Sequence, residues 1–137
     1  MKYWLVKSEP NTWSWQEHVE KGVEPWDGVR NHQAKQNLMA MSNGDHAFFY
    51  HSGQDKRIVG TLTVVRQYYP DPTDESGKFG MVDFKADQPL KTSVTLAQIK
   101  AQPRLGEMTL VKNSRLSVQP VDAASWKLIC RMGRIKP

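Results

Sequence analysis

The segment 24–31, EPWDGVRN, combines residue types that suit contact with a flat ligand. Trp26 lies between a proline and the turn pair DG, and Arg30 and Asn31 follow almost at once. An indole offers a stacking face, a guanidinium can pair with an anion, and a carboxamide both donates and accepts hydrogen bonds. A tryptophan in a loop can also close the hydrophobic core as a plug. The segment therefore predicts either a stacking platform or a core plug.

A second group, Lys7, Ser8 and Glu9, follows the first apolar run of the chain. A lysine removed from water can serve as a base toward a hydroxyl, so this group could activate a nucleophile. Successive residues of a strand point to opposite faces, so only Lys7 and Glu9 can share a side. The sequence has no phosphate-binding loop, no dinucleotide-binding glycine motif and no serine-hydrolase elbow. Its four histidines lack metal-ligand spacing, so no catalytic residue, cofactor or metal is predicted.

Helix starts are clearly marked in the sequence. Ser14 and Glu17 have the spacing of a capping box, in which hydroxyl and carboxylate satisfy free amides at a helix start. Asn31 is a favourable N-cap before apolar residues at helical spacing. The predicted helices cover 14–21, the stretch from Asn31 to Met41, 92–102 with Thr95 as cap, and the stretch from Asp122 to Met132.

Short runs rich in β-branched and aromatic residues predict the strands. They cover 2–6, 46–52, 58–69, 78–86 and 114–121. The run 46–52, HAFFYHS, is expected to be buried on both faces and to form a hairpin with 58–69. Strands joined by hairpins, with short helices between them, predict an α+β fold. Its centre is expected to be a small mixed, mostly antiparallel β-barrel with flanking short helices.

Length and composition favour one cytoplasmic domain, or a nuclear one if the cell has a nucleus. The chain has 137 residues, of which 39% are hydrophobic and 24% charged, as expected for a single globular domain. No apolar run is long enough for a membrane span, and the first residues do not resemble a signal peptide. Cys130 is the only cysteine, which excludes an intrachain disulfide and a multi-cysteine zinc site.

The charge balance favours polyanionic partners without requiring them. The chain has nineteen lysines and arginines and fourteen acidic residues, which gives a formal net charge of +5. Four of the basic residues cluster near the end of the chain, at Lys127, Arg131, Arg134 and Lys136. A solvated helix face explains this cluster as well as a phosphate track does, and we favour the solvated face.

Five blocks of the sequence are familiar in order and spacing. They are YWLVKSEP at 3–10, WDGVRNHQAKQNLMAM at 26–41, GDHAFFYHS at 44–52, IVGTLTVV at 58–65 and SRLSVQPV at 114–121. The chain resembles the EVE domain family, which is similar to the YTH domains and belongs to the PUA-like folds. The resemblance spans nearly the whole chain. It implies a small β-barrel that binds modified bases in DNA or RNA, without catalytic activity or a metal.

The resemblance also gives the motifs a common role as a base pocket. Trp26 is then the expected stacking platform, and Asn31 the reader of the base edge, although a helix N-cap explains Asn31 equally well. Ser8 and Lys7, at the end of the first strand, are expected to meet the base and a phosphate. The other expected pocket residues are Arg30, His51, Ser52, Arg115 and Ser117. The remaining tryptophans are assigned mainly to core packing, namely Trp4, Trp13, Trp15 and Trp126.

The sequence therefore predicts a non-catalytic reader of a modified nucleobase. An enzyme that acts on a modified nucleoside, with Lys7 and Glu9 as the reactive pair, is the alternative. A sensor of a free small molecule in the same pocket is a third hypothesis.

Overall fold

A computed structural model describes residues 1–137. Six strands are β1 (Tyr3–Ser8), β2 (Val23–Pro25), β3 (His46–His51), β4 (Arg57–Pro70), β5 (Gly80–Thr95) and β6 (Val118–Val121). Five α-helices are α1 (Trp15–Lys21), α2 (His32–Met39), α3 (Leu96–Ala101), α4 (Thr109–Lys112) and α5 (Ala123–Met132). A 3₁₀ helix, Pro103–Leu105, follows α3. None of the helices has the length and apolar character needed to cross a membrane.

The strands form one sheet in the order β2-β5-β4-β3-β1-β6. Only β1 and β3 pair in parallel, and the other neighbours are antiparallel. This confirms the predicted α+β class and the mostly antiparallel arrangement. The hydrogen-bonded sheet is open between β2 and β6, and α2 packs against β6, β5 and β4 across that opening. Both edge strands are short and contain a proline, Pro25 in β2 and Pro120 in β6.

Alternation along the central strands divides the apolar side chains between two cores. Trp4 and Phe49 point into the first core, whereas their neighbours Leu5 and Phe48 point into the second. The first core also contains residues of α2 and of the 26–29 loop. The second core is covered by residues of α3, the 3₁₀ helix, α4 and α5. The sheet therefore has one face under α2 and one face under the later helices.

The predicted helix starts are confirmed where side-chain caps define them. Ser14 accepts from the Glu17 N–H and Glu17 reaches back to the Ser14 N–H, so α1 begins with a complete capping box. Asn31 Oδ1 accepts from the Ala34 N–H at 2.9 Å and begins α2. Thr95 forms a second capping box at the start of α3. Asp122 precedes α5 as predicted, but its side chain makes no capping hydrogen bond.

Two predicted boundaries were wrong in the second half of the chain. The strand expected at 78–86 runs through Gly80–Thr95, so residues 92–95 belong to β5 and not to the following helix. The strand expected at 114–121 begins only at Val118. Residues before it form a turn, in which Asn113 Oδ1 accepts from the Arg115 N–H at 3.2 Å. Asparagine side chains commonly stabilise such turns against extended structure.

Candidate functional site

A cavity of about 410 Å³ opens on the α1 and α2 side of the sheet. Its walls come from the end of β1, the loop before α1, and the segment from β2 to Gly28. The lining residues are Lys7, Ser8, Glu9, Thr12, Trp13, Glu24, Pro25, Trp26, Asp27 and Gly28. The cavity therefore brings together the two groups that the sequence singled out, around Lys7 and around Trp26.

Trp26 lines this cavity but is also part of the first core. Its exposed fraction is 7%, and its backbone N–H donates to the Val82 carbonyl at 2.7 Å. Its ring meets Phe49 and Phe84 edge to face, with centroids 5.5 and 5.7 Å away. Such perpendicular contacts fix the plane of an aromatic ring. The indole is therefore packed in the core and also reaches the cavity wall, and its role as a stacking platform stays a prediction.

Trp13 is the cavity residue that sequence reasoning assigned to the core. Its ring is only partly buried and packs on the edge of the first core while lining the cavity. It occupies the position just before the Ser14 cap, outside α1. A tryptophan placed ahead of a helix cap, where no helical face buries it, was the signal in the sequence that could have identified it. The cavity therefore has two indoles in its walls.

His18 contacts both indoles and hydrogen-bonds to that of Trp13. It is fully buried, and its Nδ1 accepts from the Trp13 Nε1–H at 3.1 Å. Its Nε2–H must then donate to the Phe84 carbonyl, 2.8 Å away. The imidazole also lies 6.1 Å from the Trp26 ring centroid. Burial lowers the pKa of His18, so at neutral pH the ring is uncharged, as this pattern of one donor and one acceptor requires.

Ser8 and Lys7 line the cavity, and each also holds a neighbouring segment. The Ser8 hydroxyl donates to the Trp13 carbonyl at 2.5 Å, which ties the loop before α1 to the end of β1. The Lys7 ammonium donates to the Ser114 carbonyl at 2.8 Å, and burial lowers its pKa. Glu9, which follows the end of β1, lines the same cavity but forms no ion pair with Lys7. The expectation that strand alternation would leave Ser8 on the other side was wrong, because all three residues line the cavity.

Arg30 and Asn31 lie outside the cavity lining. Asn31 is occupied as the N-cap of α2. The Arg30 guanidinium donates to Asp71 at 3.1 Å and to Thr73 Oγ1 at 2.9 Å. The Gly28 N–H donates to the same Asp71 carboxylate at 2.8 Å. Arg30 therefore links the 71–79 loop to the turn at Gly28, and Gly28 forms part of the cavity wall.

Asp71 is the anchor of that junction. It is 3% exposed, and burial alone would raise the pKa of its carboxyl. Hydrogen bonds from Thr73, the Gly28 N–H and Arg30 outweigh this effect and lower the pKa of Asp71. The carboxylate is therefore ionised at neutral pH and positions Gly28, whose φ of 79° suits glycine.

His51 and Ser52 lie beside the cavity, in a polar depression that shares Glu9 with it. His51 Nε2 accepts from the Trp15 N–H at 3.0 Å, so its Nδ1–H donates to Asp55 at 2.8 Å. The Ser52 N–H donates to the Ser8 carbonyl at 3.0 Å. Both residues therefore connect the end of β3 to the elements that form the cavity.

Arg115 and Ser117 do not line the cavity, and they are not strand residues. They lie in the turn before β6, where the Ser117 carbonyl accepts from the Lys7 N–H at 2.9 Å. The predicted alternation of these side chains along a strand was therefore wrong. Ser117 contributes a backbone contact that holds the end of β1.

The cavity contains more carboxylates than cations. Glu9, Glu24 and Asp27 line it with Lys7 as the only basic residue. Burial, and then the nearby Asp71 and Glu24 carboxylates, raise the pKa of Asp27. Glu24 is paired with Lys21. Carboxylates accept hydrogen bonds, so this lining favours a ligand edge that presents N–H groups. The structure has no group of histidine, cysteine and acidic residues placed to bind a metal ion.

Comparisons with known proteins agree with this architecture. A Rhodopseudomonas palustris protein solved by NMR is 61% identical, with a TM-score of 0.93 over 98% of this chain and 94% of that chain. Human thymocyte nuclear protein 1, crystallised in complex with DNA that contains 5-methylcytosine, is 29% identical with a TM-score of 0.92 over the whole of both chains. A Zygosaccharomyces rouxii YTH domain in complex with N6-methyladenosine RNA, 18% identical with a TM-score of 0.58, shares the fold.

The sequence comparisons identify the family. Mouse thymocyte nuclear protein 1 is 32% identical over 98% of this chain and 75% of its own length. The family model described as the EVE domain matches residues 2–132. The chain therefore belongs to the EVE domain family.

Proposed function

We propose that this protein is a non-catalytic reader of a modified nucleobase in DNA or RNA. The observation that supports this most directly is the cavity walled by Trp13 and Trp26, which both contact the buried imidazole of His18. A base that leaves its stack loses stacking energy, and contact with aromatic rings offsets about 1–3 kcal/mol per base. The human relative crystallised with 5-methylcytosine DNA supports the same class of ligand.

The cavity also has a suitable size and polarity. A volume of about 410 Å³ falls within the ~300–1,000 Å³ typical of small-ligand pockets and accommodates one nucleobase. Its carboxylates and the Ser8 and Thr12 hydroxyls supply polar atoms around the aromatic walls. Asn31, the residue first expected to read the base edge, is occupied by its helix cap, so we assign edge recognition to the cavity residues.

A binding screen tests the proposal. Oligonucleotides with different modified bases, in DNA and in RNA, are titrated at one fixed salt concentration. Trp13→Ala is expected to weaken the best ligand by about 5- to 150-fold, which corresponds to one lost stacking contact of 1–3 kcal/mol. Trp13 is preferred to Trp26 because its partly exposed ring can be removed with less loss of stability.

A matched control is Tyr68→Ala, which removes another partly buried aromatic ring from the first core, outside the cavity. Its affinity should stay within about twofold of the wild type. Equal weakening by both variants would overturn the assignment of the cavity.

The enzyme alternative makes a different prediction from the same cavity. It requires Lys7 and Glu9 to act on a bound nucleoside. Formation of a product on long incubation, and its loss in Lys7→Ala, would replace the reader by an enzyme. The sensor alternative predicts that a free nucleoside binds as tightly as the oligonucleotide, without salt dependence, because phosphate contacts must respond to salt.

A further inference from the structure

The cavity has a charge problem if the ligand is a nucleic acid. Three carboxylates and a single ammonium line it, and Lys21 pairs with only one of the carboxylates, that of Glu24. The cavity therefore has no positive surplus that would attract a phosphodiester backbone. The net positive charge of the protein must therefore lie elsewhere if it is to contribute to binding. Residues 1–90 contain ten lysines and arginines against twelve acidic residues. Residues 91–137 contain nine against only two, Glu107 and Asp122.

This basic part of the chain folds mainly on the face opposite the cavity, whereas residues 114–117 contact the end of β1. It includes α3, the 3₁₀ helix, α4 and α5, whose apolar residues form the second core. A groove of about 240 Å³ runs between the 3₁₀ helix and α5. Its lining contains Arg104, Lys127 and Arg131, which we call the basic groove. Asp122 is its only acidic residue.

The three cations of the basic groove outnumber its single carboxylate, Asp122. All three side chains are exposed, and none forms an ion pair. By contrast, Arg30, Arg57 and Lys112 are each paired with a carboxylate. Lys127 and Arg131 are four residues apart and lie on the same side of α5, where like charges repel. A bound polyanion would reduce this repulsion, because its negative charges would take the place of the solution anions that gather at the basic surface.

The groove also offers directed hydrogen-bond donors. Arginine guanidinium groups bind phosphate oxygens in bidentate geometry, and the groove has two of them. Ser125 lies in the same lining and is 6% exposed. A solvated helix face requires no such concavity. The structure therefore favours the phosphate track over the solvated face that the sequence favoured for Lys127 and Arg131.

We propose that the basic groove of Arg104, Lys127 and Arg131 is a second nucleic-acid contact, which binds the phosphodiester backbone without regard to base identity. It goes beyond base reading, because the groove and the cavity lie on opposite faces of the sheet and can act separately. Binding at the groove supplies salt-dependent affinity for any nucleic acid. Binding at the cavity supplies selectivity for the modified base.

The test measures affinity for unmodified duplex DNA between 50 and 200 mM salt. The groove variant is the triple change Arg104→Gln, Lys127→Gln and Arg131→Gln. Three phosphate contacts contribute about 2.7 to the slope of log affinity against log salt. The ratio of the wild-type affinity to the variant affinity should therefore fall by about 40-fold as the salt concentration rises from 50 to 200 mM. Thermal unfolding should be unchanged, since all three side chains are exposed.

A matched control removes three exposed lysines from the other part of the chain. The triple change Lys2→Gln, Lys78→Gln and Lys85→Gln lowers the net charge by the same amount. Its salt slope is expected to change by less than about one contact, or 0.9. Equal slopes for the two variants, or an unchanged slope for the groove variant, would overturn the proposal.

The same experiment distinguishes this proposal from base reading. The ratio of affinities for modified and unmodified oligonucleotides should be the same in the groove variant and in the wild type. Loss of that ratio in the groove variant would show that the groove contacts the modified base, and would overturn its role as a backbone contact. If that ratio is lost in Trp13→Ala and kept in the groove variant, both proposals are supported.

Discussion

The two faces of the sheet differ in what their surfaces offer a ligand. The first face has a cavity with two indole walls and a surplus of carboxylates. The second has an apolar core beneath α3–α5 and a groove with three cations that form no ion pair. A shaped cavity can discriminate between bases, whereas a row of cations attracts any polyanion. Selectivity and affinity are therefore expected to reside on different faces, and substitutions can separate them.

The largest expected effect compares two buried tryptophans, one from each face. Trp26 and Trp126 are 7% and 2% exposed, and Trp→Ala at either site should lower the free energy of unfolding by about 3–5 kcal/mol. Urea unfolding measures this loss. The milder Trp26→Phe should reduce the preference for a modified base, whereas Trp126→Phe should preserve it. Equal loss of preference in both variants would remove the distinction between the faces.

A smaller effect is expected at the junction that shapes the cavity wall. Asp71→Ala removes the buried acceptor of the Arg30 and Gly28 hydrogen bonds. Hydrogen bonds to a charged group contribute about 1.5–3 kcal/mol, so the free energy of unfolding should fall by that amount. Preference for the modified base should also fall, because the Gly28 turn loses its anchor. Glu75→Ala, an exposed change in the same loop, should stay within about 0.5 kcal/mol and serves as the control.

The stability of the protein is expected to depend on pH through His18. Because burial lowers the pKa of His18, the unfolded chain takes up a proton before the folded chain does. Stability is therefore complete above the ordinary value of 6.5 and declines as the pH falls below it, by at most about 1.4 kcal/mol per pH unit. Chemical unfolding of the wild type and of His18→Gln between pH 7.5 and 5.5 measures the difference. An identical pH dependence in both proteins would contradict the neutral buried imidazole.

The same pH range sharpens the contrast between the faces. Protonation of His18 would remove the acceptor for the Trp13 indole, so preference for the modified base should weaken with stability. The segment 91–137 contains no histidine. The salt slope for unmodified DNA should therefore change little between pH 7.5 and 5.5.

The smallest expected effect is that of a single groove cation. Arg131→Gln should lower the salt slope by about 0.9 and leave stability within about 0.5 kcal/mol. Lys85→Gln, another exposed single-charge change, should alter the slope less. A larger change in Lys85→Gln than in Arg131→Gln would place the backbone contact on the other part of the chain.

Features that depend on neighbouring residues could be predicted from the sequence. The capping boxes at Ser14 and Thr95, the cap at Asn31 and the buried strand β3 all follow from spacing over a few residues. The fold class followed from the same local patterns together with the family resemblance. These elements determine where the cavity can form.

The cavity walls could be predicted only in part, because long-range contacts define them. The position of Trp13 ahead of the Ser14 cap was the one local signal, and the contacts with Ser8 and His18 that hold its loop at the cavity appear only in the folded chain. Arg30 was expected to line the pocket, but its guanidinium is occupied by Asp71, 41 residues away. The turn before β6 was missed because Arg115 and Ser117 alternate with apolar residues as a strand would. Such pairings are fixed by the folded chain and not by local spacing.

The prolines of the two edge strands have a consequence for behaviour at high concentration. An edge strand exposes unpaired backbone groups that can pair with another chain and start aggregation. Here β2 has three residues and ends at Pro25, and β6 has four and contains Pro120. Proline lacks the N–H that such pairing requires, and strands this short offer few further donors. The sheet is thereby protected from growing by strand addition at either edge.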